Sequence, residues 1–106
     1  MTAIQGFELH PGAASDITGI WEFIANDNPR AAGRVREGIL DAIRRLVPFP
    51  QQGHLRADLT SRSLRFQTVH DYLIAYAPDE KPLLIVAVLH GRRSPRVIAA
   101  ILKARK

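Results

Sequence analysis

Basic side chains that can hold an anion are concentrated near the end of this 106-residue chain. His90, Arg92 and Arg93 follow the apolar segment Leu83–Leu89, whose β-branched residues predict a central strand. Arg96 comes directly after Ser-Pro, a typical start of a helix. Imidazole and guanidinium groups at the exit of a strand, beside a helix start, are suited to binding phosphates or carboxylates. We therefore take these four basic residues as candidate binding residues.

Arg65 is a fifth basic residue, on an earlier predicted strand, and it is weighed with these four. Each candidate also has a purely structural interpretation. Arg65 alternates with apolar neighbours and fits the solvent face of a strand. His90 fits a residue that satisfies a backbone carbonyl at the end of the sheet. Arg92–Arg93 fit partners for acidic residues on the helices, such as Glu22 or Asp41. The sequence leaves these alternatives open.

Composition limits the class of protein. The chain has 15 Lys and Arg against 10 Asp and Glu, a formal net charge of +5, and no cysteine. We expect a single domain over residues 1–106, without disulfides, in a reducing cytoplasm. No apolar run is long enough to span a membrane and no export signal is evident, so no membrane partner is expected. No carboxylate–histidine cluster predicts a metal, and no phosphate-binding glycine loop predicts a nucleotide, so no cofactor is expected.

The first half of the chain predicts two helices. Four apolar residues repeat at helical spacing, which predicts that Trp21 lies in the core with Ile17, Ile20 and Ile24. A short turn follows the first helix. It ends in Asn28-Pro29, a typical N-cap followed by proline at the first position of the second helix. A second apolar stripe continues to Pro48, so the two helices should form an antiparallel hairpin.

The start and the second half of the chain together predict a sheet. A first strand is expected over Ile4–His10, and Phe49–Ser63 should be a loop with at most a short edge strand. Short connections predict an antiparallel meander, and a C-terminal helix should follow it. The order βααβββα predicts an α+β fold, with the helical hairpin packed on an antiparallel sheet. The expected strands and helix are Leu64–Val69, Tyr72–Ala77, Leu83–Leu89 and Arg96–Arg105.

Several motifs occur in one order along the chain. They are H-P-x-A-x-x-D-I-x-x-I-W-x-F-I-A-x-D-N-P-x-A-A from His10, L-x-x-F-P-x-x-G from Leu46, then R-S-L-R-F, Y-L-I-A-Y and I-V-A-V-L-H-G-R-R. Together they resemble the RelE/ParE superfamily of type II toxin–antitoxin toxins, and the resemblance extends from about Phe7 to Arg93. It implies a small bacterial toxin that is neutralised by an acidic antitoxin, with which it forms a hetero-oligomer.

The resemblance leaves two activities open. The ParE branch implies a toxin that poisons DNA gyrase without hydrolysis of its own, with Arg65, His90, Arg92, Arg93 and Arg96 as candidates for binding the target or the antitoxin. The RelE branch implies a ribosome-dependent endoribonuclease that cuts mRNA, with Arg65, His90 and Arg92 as catalytic candidates. RelE-like chains tend to carry a tyrosine after this point and lysines before the sheet. Here neither is present, which favours the ParE branch and a toxin that is not an enzyme.

Overall fold

The computed structural model describes residues 6–106 as three helices and four strands with one short 3-10 turn. The helical and strand segments follow the predicted order, and each begins or ends within a few residues of its expected position. In chain order they are β1 (Phe7–Leu9), α1 (Pro11–Ala25), α2 (Pro29–Leu46), β2 (Arg65–Val69), β3 (Tyr72–Ala77), β4 (Leu83–His90) and α3 (Pro95–Ala104). None of these helices is long and apolar enough to cross a membrane.

The helix starts are fixed by local capping. The Asn28 side chain accepts a hydrogen bond from the Ala31 amide at 3.1 Å, with Pro29 at the first helical position, as predicted. His10 caps α1 in the same way, because its Nδ1 accepts from the Gly12 amide at 2.9 Å. A histidine in this role was not predicted. The two helices pack against each other as the expected hairpin.

The prediction for Trp21 is wrong. Its side chain is 40% exposed, whereas Ala13 and Ile17 on the same helix are buried and Ile20 and Ile24 are partly buried. Trp21 follows Ile20 on the helix, and its side chain lies just outside the stripe of residues that the neighbouring elements cover. Apolar periodicity locates a face of a helix, but it does not say how far around the helix the neighbouring elements reach.

The sheet has the strand order β1-β4-β3-β2. The meander β2–β3–β4 is antiparallel, as predicted, and its first connection is the two-residue turn His70-Asp71. β1 lies beside β4 and runs parallel to it, from Phe7 opposite Leu83 to Leu9 opposite Ile85, so the complete sheet is mixed. The first strand was expected over Ile4–His10, and residues 4 and 5 lie outside the described part of the chain.

The sheet separates two apolar clusters. One lies between the sheet and the helical hairpin, and the other lies between the opposite face, α3 and the segment before β2. A bulge between Ala75 and Tyr76 of β3, opposite Val86, shifts the register of β4. The side chains of Val86 and Ala87 are therefore both buried in the cluster under α3. Those of Ile85 and Val88 are buried in the cluster under the helical hairpin. Both faces of β4 are covered.

The segment before β2 is mostly irregular, as expected. It contains the 3-10 turn Pro50–Gln52 and an isolated bridge between His54 and Phe66, whose backbone groups exchange hydrogen bonds of 2.9 and 2.8 Å. Leu59 is buried in the cluster under α3. This segment therefore closes one end of the second core.

Candidate functional site

Four of the five candidate residues lie at the junction of β4 and α3: His90 ends β4, Arg92 and Arg93 lie in the turn, and Arg96 is in the first turn of α3. The turn between β4 and α3 is held by the backbone: Gly91 N–H donates to the Asp71 carbonyl at 2.8 Å, and Arg93 N–H donates to the His90 carbonyl at 3.1 Å. Ser94 Oγ then accepts from the Val97 amide at 3.2 Å and caps α3. These bonds use main-chain groups and the serine hydroxyl, so the arginine side chains of the turn are left to face outward.

His90 organises this turn. Its Nδ1 accepts a hydrogen bond from the Arg92 amide at 3.1 Å, so the proton of the neutral imidazole is on Nε2. Its ring also meets Tyr72 edge-on, with centroids 5.5 Å apart at an interplanar angle of 74°. Of the interpretations weighed for His90, a structural role fits these contacts, although the bonded group is an amide rather than a carbonyl.

The arginines at the junction of β4 and α3 are exposed. Arg92, Arg93 and Arg96 make no ion pair within residues 6–106, and Asp41, one of the partners considered for them, instead pairs with Arg44 at 2.6 Å. Their guanidinium groups lie within five consecutive residues, outside both apolar clusters. They are therefore available to an external anion.

Arg65 lies in a different environment. It is half-buried, and its Nη1 donates to the Gly53 carbonyl at 2.7 Å. Tyr76, opposite it on β3, donates its hydroxyl proton to the Pro50 carbonyl at 2.7 Å and accepts from the Gly53 amide at 2.9 Å. Burial raises the pKa of Tyr76, opposed by the Gly53 hydrogen bond and the charge of Arg65. Arg65 and Tyr76 thus anchor the segment around Gly53 to the sheet.

The structure does not bring the five candidates together. Arg65 is paired with Tyr76 and His90 is paired with Tyr72, four residues away along β3. Four strand residues extend about 13 Å, so Arg65 and His90 lie near opposite ends of the meander. The group His90, Arg92, Arg93 and Arg96 is one surface, and Arg65 is separate from it.

A groove lies beside this surface, between α1 and the end of β4, with a volume of about 490 Å³. Its walls are mainly apolar, from Ile20, Phe23 and Val88, and His90 and Arg93 line the same groove. Phe23 is 82% exposed, which is unusual for so large an apolar side chain. Asp16 also lines the groove, but its charge is paired with that of Arg105, so the groove combines apolar area with a net positive charge from Arg93.

An ion pair that sequence reasoning missed locks α3 to the rest of the domain. Arg105 donates from Nη1 and Nη2 to the two carboxylate oxygens of Asp16, at 2.5 and 2.9 Å, and also donates to the Val86 carbonyl at 3.2 Å. Asp16 in turn accepts from the Val88 amide at 2.9 Å. Because β1 ends opposite Ile85, these side chains satisfy the edge of β4 that β1 leaves uncovered.

Arg62 holds the same helix at its end. Its Nη1 donates to the carbonyls of Leu102 and Arg105, at 3.0 and 2.6 Å. The C-terminal cations are thus of two kinds, those bound internally and those presented to solvent. Within residues 6–106, no group of three or more His, Cys, Asp or Glu residues is placed to bind a metal ion.

Comparison with known proteins assigns the family. The family model described as the ParE toxin of type II toxin–antitoxin system, parDE, matches residues 7–95. A solved structure of the chromosomal ParDE TA system from P. aeruginosa is similar in fold, with a TM-score of 0.67 and 17% sequence identity, covering 79% of this chain and 92% of that chain. No curated protein sequence matches the chain. The family match covers most of the chain, and we conclude that this protein belongs to the ParE toxin family of type II toxin–antitoxin systems.

Proposed function

We propose that this protein inhibits bacterial growth by poisoning DNA gyrase and that a cognate acidic antitoxin neutralises it. The observation that carries the proposal is the set of exposed arginines at the junction of β4 and α3, which form no ion pair within residues 6–106, in a chain of the ParE toxin family. Gyrase holds DNA while it is cleaved, so the phosphates of the bound DNA are available to a cationic surface. The proposed site of action is the cytoplasm, where gyrase acts.

The geometry supports binding more than hydrolysis. Cleavage of RNA needs a base near the ribose hydroxyl, an acid near the leaving oxygen and cations around the same phosphate. Arg65 lies near one end of the meander while His90 and Arg92 lie at the other, and one nitrogen of His90 already accepts a backbone amide. These three residues would therefore not converge on one phosphate without a large rearrangement. No cofactor enters the proposal.

The groove beside the arginines supports an antitoxin partner. Apolar walls from α1 and β4 fit the apolar side of an amphipathic segment, and Arg93 and His90 fit its acidic residues. A disordered acidic tail that folds on binding would use both features. The expected assembly is a hetero-oligomer of toxin and antitoxin, with an interface that is salt-sensitive at the cationic rim and less so at its apolar centre.

The experiment that tests the proposal uses purified toxin, purified gyrase and relaxed plasmid. Loss of supercoiling, together with accumulation of linear DNA after protein removal, supports gyrase poisoning, and added antitoxin should restore supercoiling. Primer extension on translated mRNA after toxin induction tests the alternative. Cut messages with unaffected gyrase would overturn the proposal in favour of a ribosome-dependent endoribonuclease.

A further inference from the structure

The C-terminal segment contains all the net positive charge of the chain. Residues 91–106 carry six basic side chains and no acidic one, so the other 90 residues have nine basic and ten acidic side chains. A chain with evenly mixed charge would give this segment a net charge near +1. The excess is therefore a local property of the turn after β4 and of α3.

The fold divides these six cations. Arg105 is neutralised by Asp16, so it contributes no net charge to the surface. The other five, Arg92, Arg93, Arg96, Lys103 and Lys106, are exposed and make no ion pair within residues 6–106. We call these five the C-terminal basic surface. An internal ion pair thus fixes the helix, while the remaining charges face outward.

The helix aligns part of this surface. The covered face of α3 contains the buried Ile98 and Leu102, whereas Arg96, Ala100 and Lys103 occupy exposed positions at helical spacing. Arg96 and Lys103 are seven residues apart, which corresponds to about 10 Å along the helix. Arg92 and Arg93 extend the positive charge beyond the N-terminal end of α3. The result is a line of cations rather than a single point charge.

We infer that the C-terminal basic surface binds the phosphate backbone of duplex DNA directly, without gyrase. Duplex DNA carries one negative charge per about 1.7 Å of its axis, which suits a line of cations. Three of the five cations are arginines, whose planar forks hold phosphate oxygens in pairs. Between its charges the exposed side of α3 carries Ala100 and Val97, which is 43% exposed, so it offers a protein partner only one larger apolar side chain. An acidic protein segment is therefore less suited to the exposed side of α3 than to the groove, which shares only Arg93 with this surface.

As a part of gyrase poisoning, this inference rests on the proposed function, because a toxin that traps cleaved DNA gains from holding the DNA itself. As a binding reaction it can be measured alone. The contact is with the backbone, so we expect no preference among sequences.

The test measures fluorescence anisotropy of a labelled duplex of about 30 base pairs, titrated with the full chain at several salt concentrations. Each phosphate contact contributes a slope of about −0.9 to log K against log salt, so three to five contacts give about −3 to −4.5. The variant Arg92→Ala/Arg93→Ala/Arg96→Ala should flatten this slope by about 2.7. Since these side chains are exposed and form no ion pair with any residue of 6–106, the variant should keep its fold, which circular dichroism checks.

The matched control removes the same charge elsewhere. Arg30→Ala/Arg34→Ala/Arg45→Ala lowers the net charge from +5 to +2, as the first variant does, but changes only exposed residues of α2. It should keep the salt slope within about 1 of the original. Equal loss in both variants would show that only total charge matters and would overturn the inference, as would an absence of DNA binding at low salt.

A second probe separates DNA from acidic protein. If the C-terminal variant keeps its affinity for DNA but loses affinity for poly-glutamate, the surface binds acidic polypeptide and the inference is wrong. The two proposals also fail separately. Gyrase poisoning without binding to free DNA would overturn this inference alone, whereas DNA binding without any effect on gyrase would overturn the proposed function alone.

Discussion

Arg105 and Asp16 form a bidentate ion pair between residues that are 89 positions apart in the sequence. The pair joins the segment after α3 to the first helix. Their side chains are only 16% and 14% exposed. The same two side chains satisfy the Val86 carbonyl and the Val88 amide on the uncovered edge of β4. The pair therefore holds α3 in place and closes the sheet edge at the same point.

Removal of one partner should destabilise the domain strongly. In Asp16→Ala, the Arg105 charge stays mostly buried without its carboxylate and the Val88 amide loses its acceptor, so we expect a loss of about 3–5 kcal/mol in the free energy of unfolding. Urea denaturation measures it. The exposed pair of Asp41 with Arg44 provides the control, since Asp41→Ala should cost less than about 1 kcal/mol. If Asp16→Ala lowers the free energy of unfolding no more than Asp41→Ala does, the buried ion pair does not stabilise the domain.

A glycine to alanine change should also disturb this pair. A Cβ added at Gly12 would lie 2.7 Å from Cζ of Arg105, so the guanidinium would have to move away from Asp16. We expect Gly12→Ala to destabilise the protein by about 1–3 kcal/mol. In Gly33→Ala, where no atom lies within 4 Å, the same change should stabilise α2 by about 0.5–1 kcal/mol. Opposite signs in thermal denaturation support the packing described here, and stabilisation by both changes would contradict it.

The hydroxyl of Tyr76 should contribute to stability and to its pH dependence. Tyr76→Phe leaves the buried Gly53 amide without its acceptor, which should cost about 1–3 kcal/mol. Because burial raises the pKa of Tyr76, the unfolded chain loses its proton first as the pH rises above about 10, and stability should fall there. Urea denaturation from neutral to strongly alkaline pH should show a shallower decline in Tyr76→Phe. An identical decline in both proteins would exclude Tyr76 as a source.

The exposed aromatic residue of the groove should matter for the antitoxin and not for folding. Phe23 is 82% exposed and Phe49 is 70% exposed, but only Phe23 lines the groove beside Arg93. We expect Phe23→Ala to weaken antitoxin binding at least tenfold, about 1.4 kcal/mol, while Phe49→Ala has little effect. Calorimetric titration with the cognate antitoxin measures both. If Phe49→Ala has the larger effect, the antitoxin occupies another face.

Local signals allowed much of the fold to be predicted from the sequence. Asn28-Pro29 and Ser94-Pro95 mark helix starts through contacts within a few residues, and these were confirmed. The parallel pairing of β1 with β4 and the contact of Asp16 with Arg105 depend on how distant segments meet, and no short-range pattern reports that. The sequence did contain one signal for the contact of Asp16 with Arg105. Asp16 directly precedes Ile17, an apolar residue of α1 that is buried, so its carboxylate lies near the core and needs a partner.

For the candidate residues too, the sequence reports which ones are close along the chain but not which distant ones meet. His90, Arg92, Arg93 and Arg96 are close in sequence and remain one surface in the structure. Arg65 was grouped with them through the resemblance to the family, and the register of β3 places it near the opposite end of the meander. Chemical type identifies candidates, but strand register decides which of them meet.

We propose that the exposed arginines after β4 act on gyrase and its DNA. The most direct measurement is the fraction of plasmid that gyrase leaves cleaved, at equal concentrations of the native toxin, Arg92→Ala/Arg93→Ala/Arg96→Ala and the matched α2 variant. We predict strong cleavage with the native toxin and the α2 variant, and at least a tenfold lower potency with the C-terminal variant. Undiminished cleavage with the C-terminal variant would show that these arginines do not act on gyrase.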